Sequence, residues 1–506
     1  MPTPLFNSAQ ARELDAQSAK AQGIKPAELM ERAGRAAASL AQARWPLADR
    51  FIVLCGPGNN GGDGYVCARY LHQASREVLL FAQAPPNDKS PGAVKNAKRW
   101  AELGAILPLA QFSEVACAAP SDVIIDALFG IGLSAPLSPP YAAAITHANQ
   151  QSCGKLALDV PSGLNADTGA KTGSCAFQAD CTLSFVVHKA GLHTGAARAH
   201  VGDCLLDTLS MPAELLKSAA PVAQLFCTSD IALSKRAADS HKGKNGHVLV
   251  LGGEHGMGGA VLLAGEAVLY AGAGLVSVGT RALHVPSLIV RCPELMGFDA
   301  SDSALLTKRI SLASVLALGP GFGSAPDFAE RLMPQLLQNP MPKVLDADAL
   351  NWLAANDSPL AMSEDCVLTP HPGEAARLLN CTVLDIERDR FAALAALVAR
   401  YRCTIVLKGA GTLIGAPNQS PVVCGLGNPG MATGGMGDVL TGCIAALLAQ
   451  AQGLRLSHFQ ACVQAVLAHS HAADALRDRN GQRGLRASEL GPAIRSALNS
   501  SHPETA

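Results

Sequence analysis

The stretch Gly434-Gly435-Met436-Gly437-Asp438-Val439-Leu440-Thr441-Gly442 has the residue types and spacing best suited to chemistry in this chain. A glycine-rich turn runs straight into an apolar segment that predicts a helix over roughly Asp438 to Leu448, with one carboxylate at its mouth. The free N–H groups and positive dipole end of such a helix hold an anion such as a phosphate. A carboxylate beside them can take the proton of a hydroxyl as it attacks a phosphoryl group. The plain alternative is a helix cap, since Asp is a common N-cap residue.

Other segments offer complementary groups. Thr404–Leu407 reads as a buried strand opening into Lys408-Gly409-Ala410-Gly411-Thr412, a loop able to hold nucleotide phosphates with backbone N–H groups and one cation. It lacks the Walker A pattern, and a β-hairpin turn explains it equally well. In Thr369-Pro370-His371-Pro372-Gly373-Glu374 two prolines bracket a histidine and restrict its backbone. Gly319–Gly323 and Asp346-Ala347-Asp348 are further strand-end turns, the second able to serve magnesium through water. Near the other end, Gly56-Pro57-Gly58-Asn59-Asn60-Gly61-Gly62-Asp63-Gly64 forms a dense anion nest after a strand. Two more strands end in polar turns, Asp126–Leu133 and Asp159–Gly163. Ligands collect at such C-terminal strand ends, where Asn60, Asp126 and Ser162 can converge as hard oxygen ligands for a cation. Asp159, on a strand end facing the nest, is the candidate proton carrier there.

Elements must position these groups. The 506 residues imply two or three domains. Short β-rich runs alternate with helical patterns, which implies βαβ units and largely parallel sheets. Strands are expected at Phe51–Cys55, Val78–Phe81, Val123–Ala127, Leu156–Val160 and Leu183–Val187. A second series follows at Val248–Leu251, Leu275–Val278, Val315–Leu318, Lys343–Asp346, Cys366–Leu368 and Thr404–Leu407. Leu216–Asp230 has no clear period, so domains are expected over 1–218 and 225–500.

Composition narrows the partners. Forty basic residues against 41 acidic ones leave a net charge of −1, which disfavours nucleic acid and membrane surfaces. The 15 cysteines are dispersed without C-x-x-C spacing, which disfavours zinc and suggests reduced thiols in a cytoplasmic protein. The N-terminus does not read as a signal peptide, and no apolar run of about 18 residues predicts a membrane span.

The loop at Gly58–Gly64 resembles that of the NAD(P)H-hydrate epimerase family, a likeness covering about residues 10–215. The resemblance implies that Asn59, Asn60, Gly61, Gly62 and Asp63 contact a hydrated nicotinamide nucleotide. It assigns the same contact to Gly130, Ile131, Gly132, Leu133, Ser134, Ala135, Pro136 and Asp159, and a potassium ion to Asn60, Asp126 and Ser162. Gly246–Gly253, Gly272–Val276, Gly319–Gly323, Thr369–Glu374, Lys408–Thr412 and Asn428–Gly442 are similar to the ribokinase-like superfamily. They are most similar to its ADP-dependent NAD(P)H-hydrate dehydratase branch, over about 230–495. That likeness implies hydrate contacts at Ala260, Gly323, His371 and Asp438, and adenine-nucleotide contacts at Lys408, Gly409, Ala410, Gly411, Thr412 and Gly437.

Together the halves resemble the bifunctional NAD(P)H-hydrate repair enzymes. The expectation is an α/β chain of two tandem three-layer α/β/α domains, Rossmann-like then ribokinase-like. The first would epimerise R and S hydrates; the second would dehydrate the S form with ADP, giving AMP and phosphate through a phosphorylated intermediate. Potassium, magnesium and ADP are the implied cofactors and co-substrate, and a homo-oligomer is expected. A ribokinase-like small-molecule kinase with an accessory N-terminal domain, and a non-catalytic N-terminal interaction module, are the competing readings.

Overall fold

In the computed structural model, which describes residues 2–323, 326–356 and 362–499, the chain divides into a unit Pro4–Ala223 and a second unit that begins at Gln224. The stretch that showed no clear period takes in the end of a short helix, Ala213–Ser218, and a short strand, Ala223–Phe226. Neither is long enough to express a hydrophobic period.

The first unit is built on a seven-stranded parallel sheet. Its order is Ile106–Pro108, Glu77–Ala82, Arg50–Cys55, Ala118–Ala127, Ser152–Leu158, Cys181–Phe185 and Asp203–Asp207. Strand order reverses between Arg50–Cys55 and Ala118–Ala127, so the turns after Cys55 and Ala127 flank the crevice where such sheets bind ligands. The two turns touch. A Cβ on Gly56 would lie 1.7 Å from the Leu128 carbonyl oxygen, so only glycine fits there. The helix after the strand starts at Asn59, inside the glycine-rich nest itself, and runs to Gln73. Gly61 and Gly62 therefore sit in its first turn, where a Cβ on Gly61 would fall 1.9 Å from the Gly56 carbonyl oxygen.

In the second unit the sheet runs Met296–Asp299, Leu275–Thr280, His247–Leu251, Val315–Leu318, Lys343–Leu345, Cys366–Leu368 and Thr404–Leu407, all parallel. Leu413–Gly415 then turns back antiparallel and Val422–Cys424 follows it. The reversal lies between His247–Leu251 and Val315–Leu318, and again the following turns meet: Glu254 N–H donates to the Gly321 carbonyl at 2.6 Å. Helix Met436–Leu454 packs its apolar side into the core, with Val439, Leu440, Cys443, Ile444 and Leu447 buried. Both units are mixed α/β with parallel sheets, as the alternating pattern implied. No helix among the described residues is long and apolar enough to cross a membrane.

Candidate active sites

The helix mouth in the second unit differs from a capped start. Its N-cap is Gly435, at φ 90°, and no side chain caps the helix. Asp438 lies in the first turn, half-buried, with its carboxylate free of the capping role. Behind it sits a buried ion pair: Lys408 Nζ is 2.6 Å from Asp346 Oδ1, and Thr441 Oγ1 donates to Asp346 Oδ2 at 2.9 Å. The Glu374 carboxylate lies 3.8 Å from the same ammonium. Gly437 covers this pair closely, since a Cβ there would stand 3.2 Å from Asp346 Oδ2 and 3.3 Å from Lys408 Nζ.

Charge is divided unevenly. Burial, followed by the Asp346 charge, pushes the Asp438 carboxyl up to about 7, with Lys408 opposing. Burial also raises Glu374 to about 7. Burial works against the Asp346 anion, but the Lys408 ammonium and its hydrogen bond hold that carboxyl below the usual range. Burial likewise opposes the Lys408 charge, and Asp346, Glu374 and Asp438 outweigh it to keep the amine above its usual range. One anion is thus fixed by the lysine, while two carboxyls are poised to exchange protons near neutral pH.

The strand-end turns carry the remaining groups. Ala347, between Asp346 and Asp348, is held at φ 47° and ψ −119°, a strained conformation for a residue with a Cβ. It lets Asp346 face Lys408 while Asp348 Oδ2 accepts from the Gly323 N–H at 2.8 Å. His371 caps helix Pro372–Leu379, its Nδ1 accepting from Gly373 N–H at 2.9 Å, and its side chain remains 51% exposed. The Lys408–Thr412 loop is the turn of the hairpin formed by Thr404–Leu407 and Leu413–Gly415. It rests on buried Arg390, whose guanidinium donates to the Leu407 and Lys408 carbonyls, each at 3.1 Å. Ala260 lies across from the Gly319–Gly323 turn, 3.1 Å from where a Gly321 Cβ would be.

In the first unit a cavity of about 700 Å³ opens at the switch point. Asn59, Asn60, Asp63, Gly130, Ile131, Gly132, Leu133 and Asp159 line it. Gly61 and Gly62 are buried beside it as packing residues, and Ser134, Ala135 and Pro136 are exposed beyond its lining. Asp159, at φ 65°, is ion-paired with the buried Lys189 ammonium, which also donates to Ser184 Oγ at 3.1 Å and the Phe185 carbonyl at 2.8 Å. Burial and then the Asp159 charge drive the Asp63 carboxyl well above the usual range, and the same two causes raise Asp15, which lines the same cavity.

Asp126 and Ser162 lie next to the cavity, not in its lining. Ser162 Oγ donates to Asp126 Oδ1 at 2.7 Å, and the Ser162 N–H donates to Oδ2 at 2.7 Å. Burial pushes Asp126 up to about 6 against these bonds. Both amide atoms of the Asn60 side chain are buried without a hydrogen-bond partner.

Asp15, Lys189 and Arg390 were not singled out from sequence and have no local motif, while Glu374 and Thr441 were named only as members of a turn and of the helix-mouth stretch. Lys189 follows the polar turns at the end of its own short strand, the one hint available.

A family model described as NAD(P)H-hydrate dehydratase matches residues 248–496, and one described as YjeF-related protein N-terminus matches residues 26–191. The bifunctional NAD(P)H-hydrate repair enzyme Nnr of Coxiella burnetii is 43% identical over 499 residues, covering 98% of this chain and 100% of that protein. The enzyme of the same description from Escherichia coli is 38% identical, covering 99% of this chain and 95% of its own. A solved ribokinase-like superfamily protein from Enterococcus faecalis superposes with a TM-score of 0.50 at 30% identity, over 54% of this chain and 94% of its own. With relatives of one description matching nearly end to end, across both the cavity of the first unit and the helix mouth of the second, this chain belongs to the bifunctional NAD(P)H-hydrate repair enzyme family.

Proposed function

We propose that the chain restores hydrated NADH and NADPH, with the first unit interconverting the R and S hydrates and the second dehydrating the S form at the expense of ADP. The observation that carries this reading is the Asp438 carboxyl, raised to about 7 at an uncapped helix mouth beside Gly437. Hydroxide is a poor leaving group from C6 of the reduced nicotinamide ring; phosphate is a good one. Asp438 takes the proton of the C6 hydroxyl as its oxygen attacks the terminal phosphorus of ADP, and AMP departs. N–H groups of the helix mouth stabilise the charge on the transferring group. The ring nitrogen lone pair then expels phosphate, and loss of the C5 proton restores the double bond.

Lys408–Thr412 and Gly437 hold the adenine nucleotide, and Ala260, Gly323, His371 and Asp438 face the hydrate. Lys408 acts chiefly on the neighbouring carboxylates, because its ammonium is committed to Asp346. That leaves Asp348 as the acidic residue for the water shell of a nucleotide-borne magnesium ion, which neutralises phosphate charge. Gly437→Ala places a methyl group over the Lys408–Asp346 pair and narrows the mouth. Nucleotide KM is expected to rise about tenfold or more, with the melting temperature little changed, checked by initial rates against ADP.

In the first unit, C6 inverts by opening of the hemiaminal: the C6–N1 bond breaks, the hydroxyl loses its proton, N1 gains one, and the ring recloses on the other face. Asp159, paired with the Lys189 ammonium, takes the hydroxyl proton, and Asp63, whose carboxyl burial drives well above the usual range, supplies the one for N1. Asn59, Asn60, Asp63 and Gly130–Leu133, which line the cavity, position the nucleotide. A potassium ion fits beside them, because the unpartnered Asn60 amide oxygen, Asp126 and Ser162 are hard oxygen donors. Crystals soaked in a thallium salt are expected to show one ion touching all three residues; an ion absent from this place, or Asn60 turned away from it, removes the assignment.

The kinase reading shares Asp438 but ends in a stable phosphorylated product. Supplying S hydrate and ADP separates them: repair yields one AMP and one phosphate per dihydronicotinamide restored, whereas a phosphorylated nucleotide accumulating without free phosphate assigns a kinase.

A further inference from the structure

We propose that His188, His193 and Cys204 in the first unit form a binding site for a zinc-class divalent transition-metal ion. Their ligand atoms all lie within 4.8 Å of one another, the only such His/Cys/Asp/Glu grouping among the described residues. Nδ1 of His188 and Nε2 of His193 are buried without a hydrogen-bond partner, and His193 is only 4% exposed. Buried polar groups left unpaired are costly, and two imidazole nitrogens of one cluster in that state call for a shared ligand. The rings stand edge to face with centroids 5.3 Å apart, so their nitrogens approach without stacking.

No local spacing announces this site. His188 begins the strand His188–Lys189, His193 closes the turn Ala190–His193, and Cys204 comes from the strand Asp203–Asp207. Two imidazoles and one thiolate are a borderline-soft set that suits Zn²⁺ or Co²⁺ and not the hard potassium ion assigned to Asn60, Asp126 and Ser162. Each imidazole offers an unpaired ring nitrogen whose lone pair can bind the ion. The entering ion displaces the Cys204 proton to solvent as the metal–sulfur bond forms. Three protein ligands leave a fourth position for water. Because His188 precedes Lys189, the ion also braces the strand that presents the ammonium to Asp159.

Full-length protein stripped with a chelator and titrated with Co²⁺ tests this. One equivalent should bind, with a near-ultraviolet thiolate-to-cobalt band, visible bands of tetrahedral intensity and release of one proton. Cys204→Ser should lose the near-ultraviolet band. His188→Ala should weaken binding by more than the roughly 10–100-fold that loss of an outer-shell partner costs. Wild-type protein that takes up no stoichiometric Co²⁺ overturns the site without reference to any variant. So does a thiolate band that survives in a folded Cys204→Ser protein, since the sulfur would then belong to another cysteine.

Discussion

Asp438→Asn should slow dehydration of the S hydrate by about 10²–10⁴-fold, the usual worth of a positioned general base. Asn preserves the shape of the side chain but cannot accept the hydroxyl proton. The helix should not suffer, because Asp438 does not cap it, and replacing a carboxyl that faces Asp346 and Asp348 relieves like-charge repulsion. ADP binding should change little, since the nucleotide loop lies on a separate hairpin. The pH profile carries the same signature. A base raised to about 7 is active only when deprotonated, so kcat/KM for the wild type should climb as pH rises through that value and level off above it. Glu374 titrates in the same range. A rising limb that survives Glu374→Gln and vanishes in Asp438→Asn therefore belongs to Asp438. Dehydration by a folded Asp438→Asn protein at near-normal rate would transfer the role to another group, His371 first.

Asp159→Asn should produce a comparable loss, about 10²–10⁴-fold, confined to epimerisation. A mixture of hydrates would then be repaired quickly until its S fraction is exhausted, with the remainder limited by spontaneous inversion. Because the product of one unit is a diffusible nucleotide, mixing Asp159→Asn with Asp438→Asn should restore complete repair. The substitution also leaves the Lys189 ammonium, 2% exposed, without its counter-ion. Breaking a buried pair costs about 3–5 kcal/mol, so a lowered melting temperature is expected as well. Unchanged dehydration of pure S hydrate by the same preparation distinguishes lost chemistry from lost fold.

Legibility in the sequence followed the range of the interactions involved. Val315–Leu318, Cys366–Leu368 and Thr404–Leu407 were expected at the limits observed, since parallel strands buried on both faces read as unbroken apolar runs. Leu413–Gly415 and Val422–Cys424 follow by antiparallel pairing with no helix between them, outside the strand–helix alternation that announced the others. His371 and Asp438 stood out because turn chemistry is local. The direction of the Lys408 side chain did not, because it depends on Asp346, 62 positions away. The same holds for Asp15, which meets Asp63 and Asp159 only across the folded cavity. Absence of C-x-x-C spacing argued against zinc, yet the proposed ligand set joins a strand, a turn and a second strand, which no spacing rule detects.

Adding a mixture of R and S hydrates of NADH, with ADP and magnesium, to the intact protein tests the central claim most directly. The near-ultraviolet absorbance of the dihydronicotinamide should return in full, with one AMP formed for each ring restored. Consumption of ADP without any return of that absorbance would contradict the account.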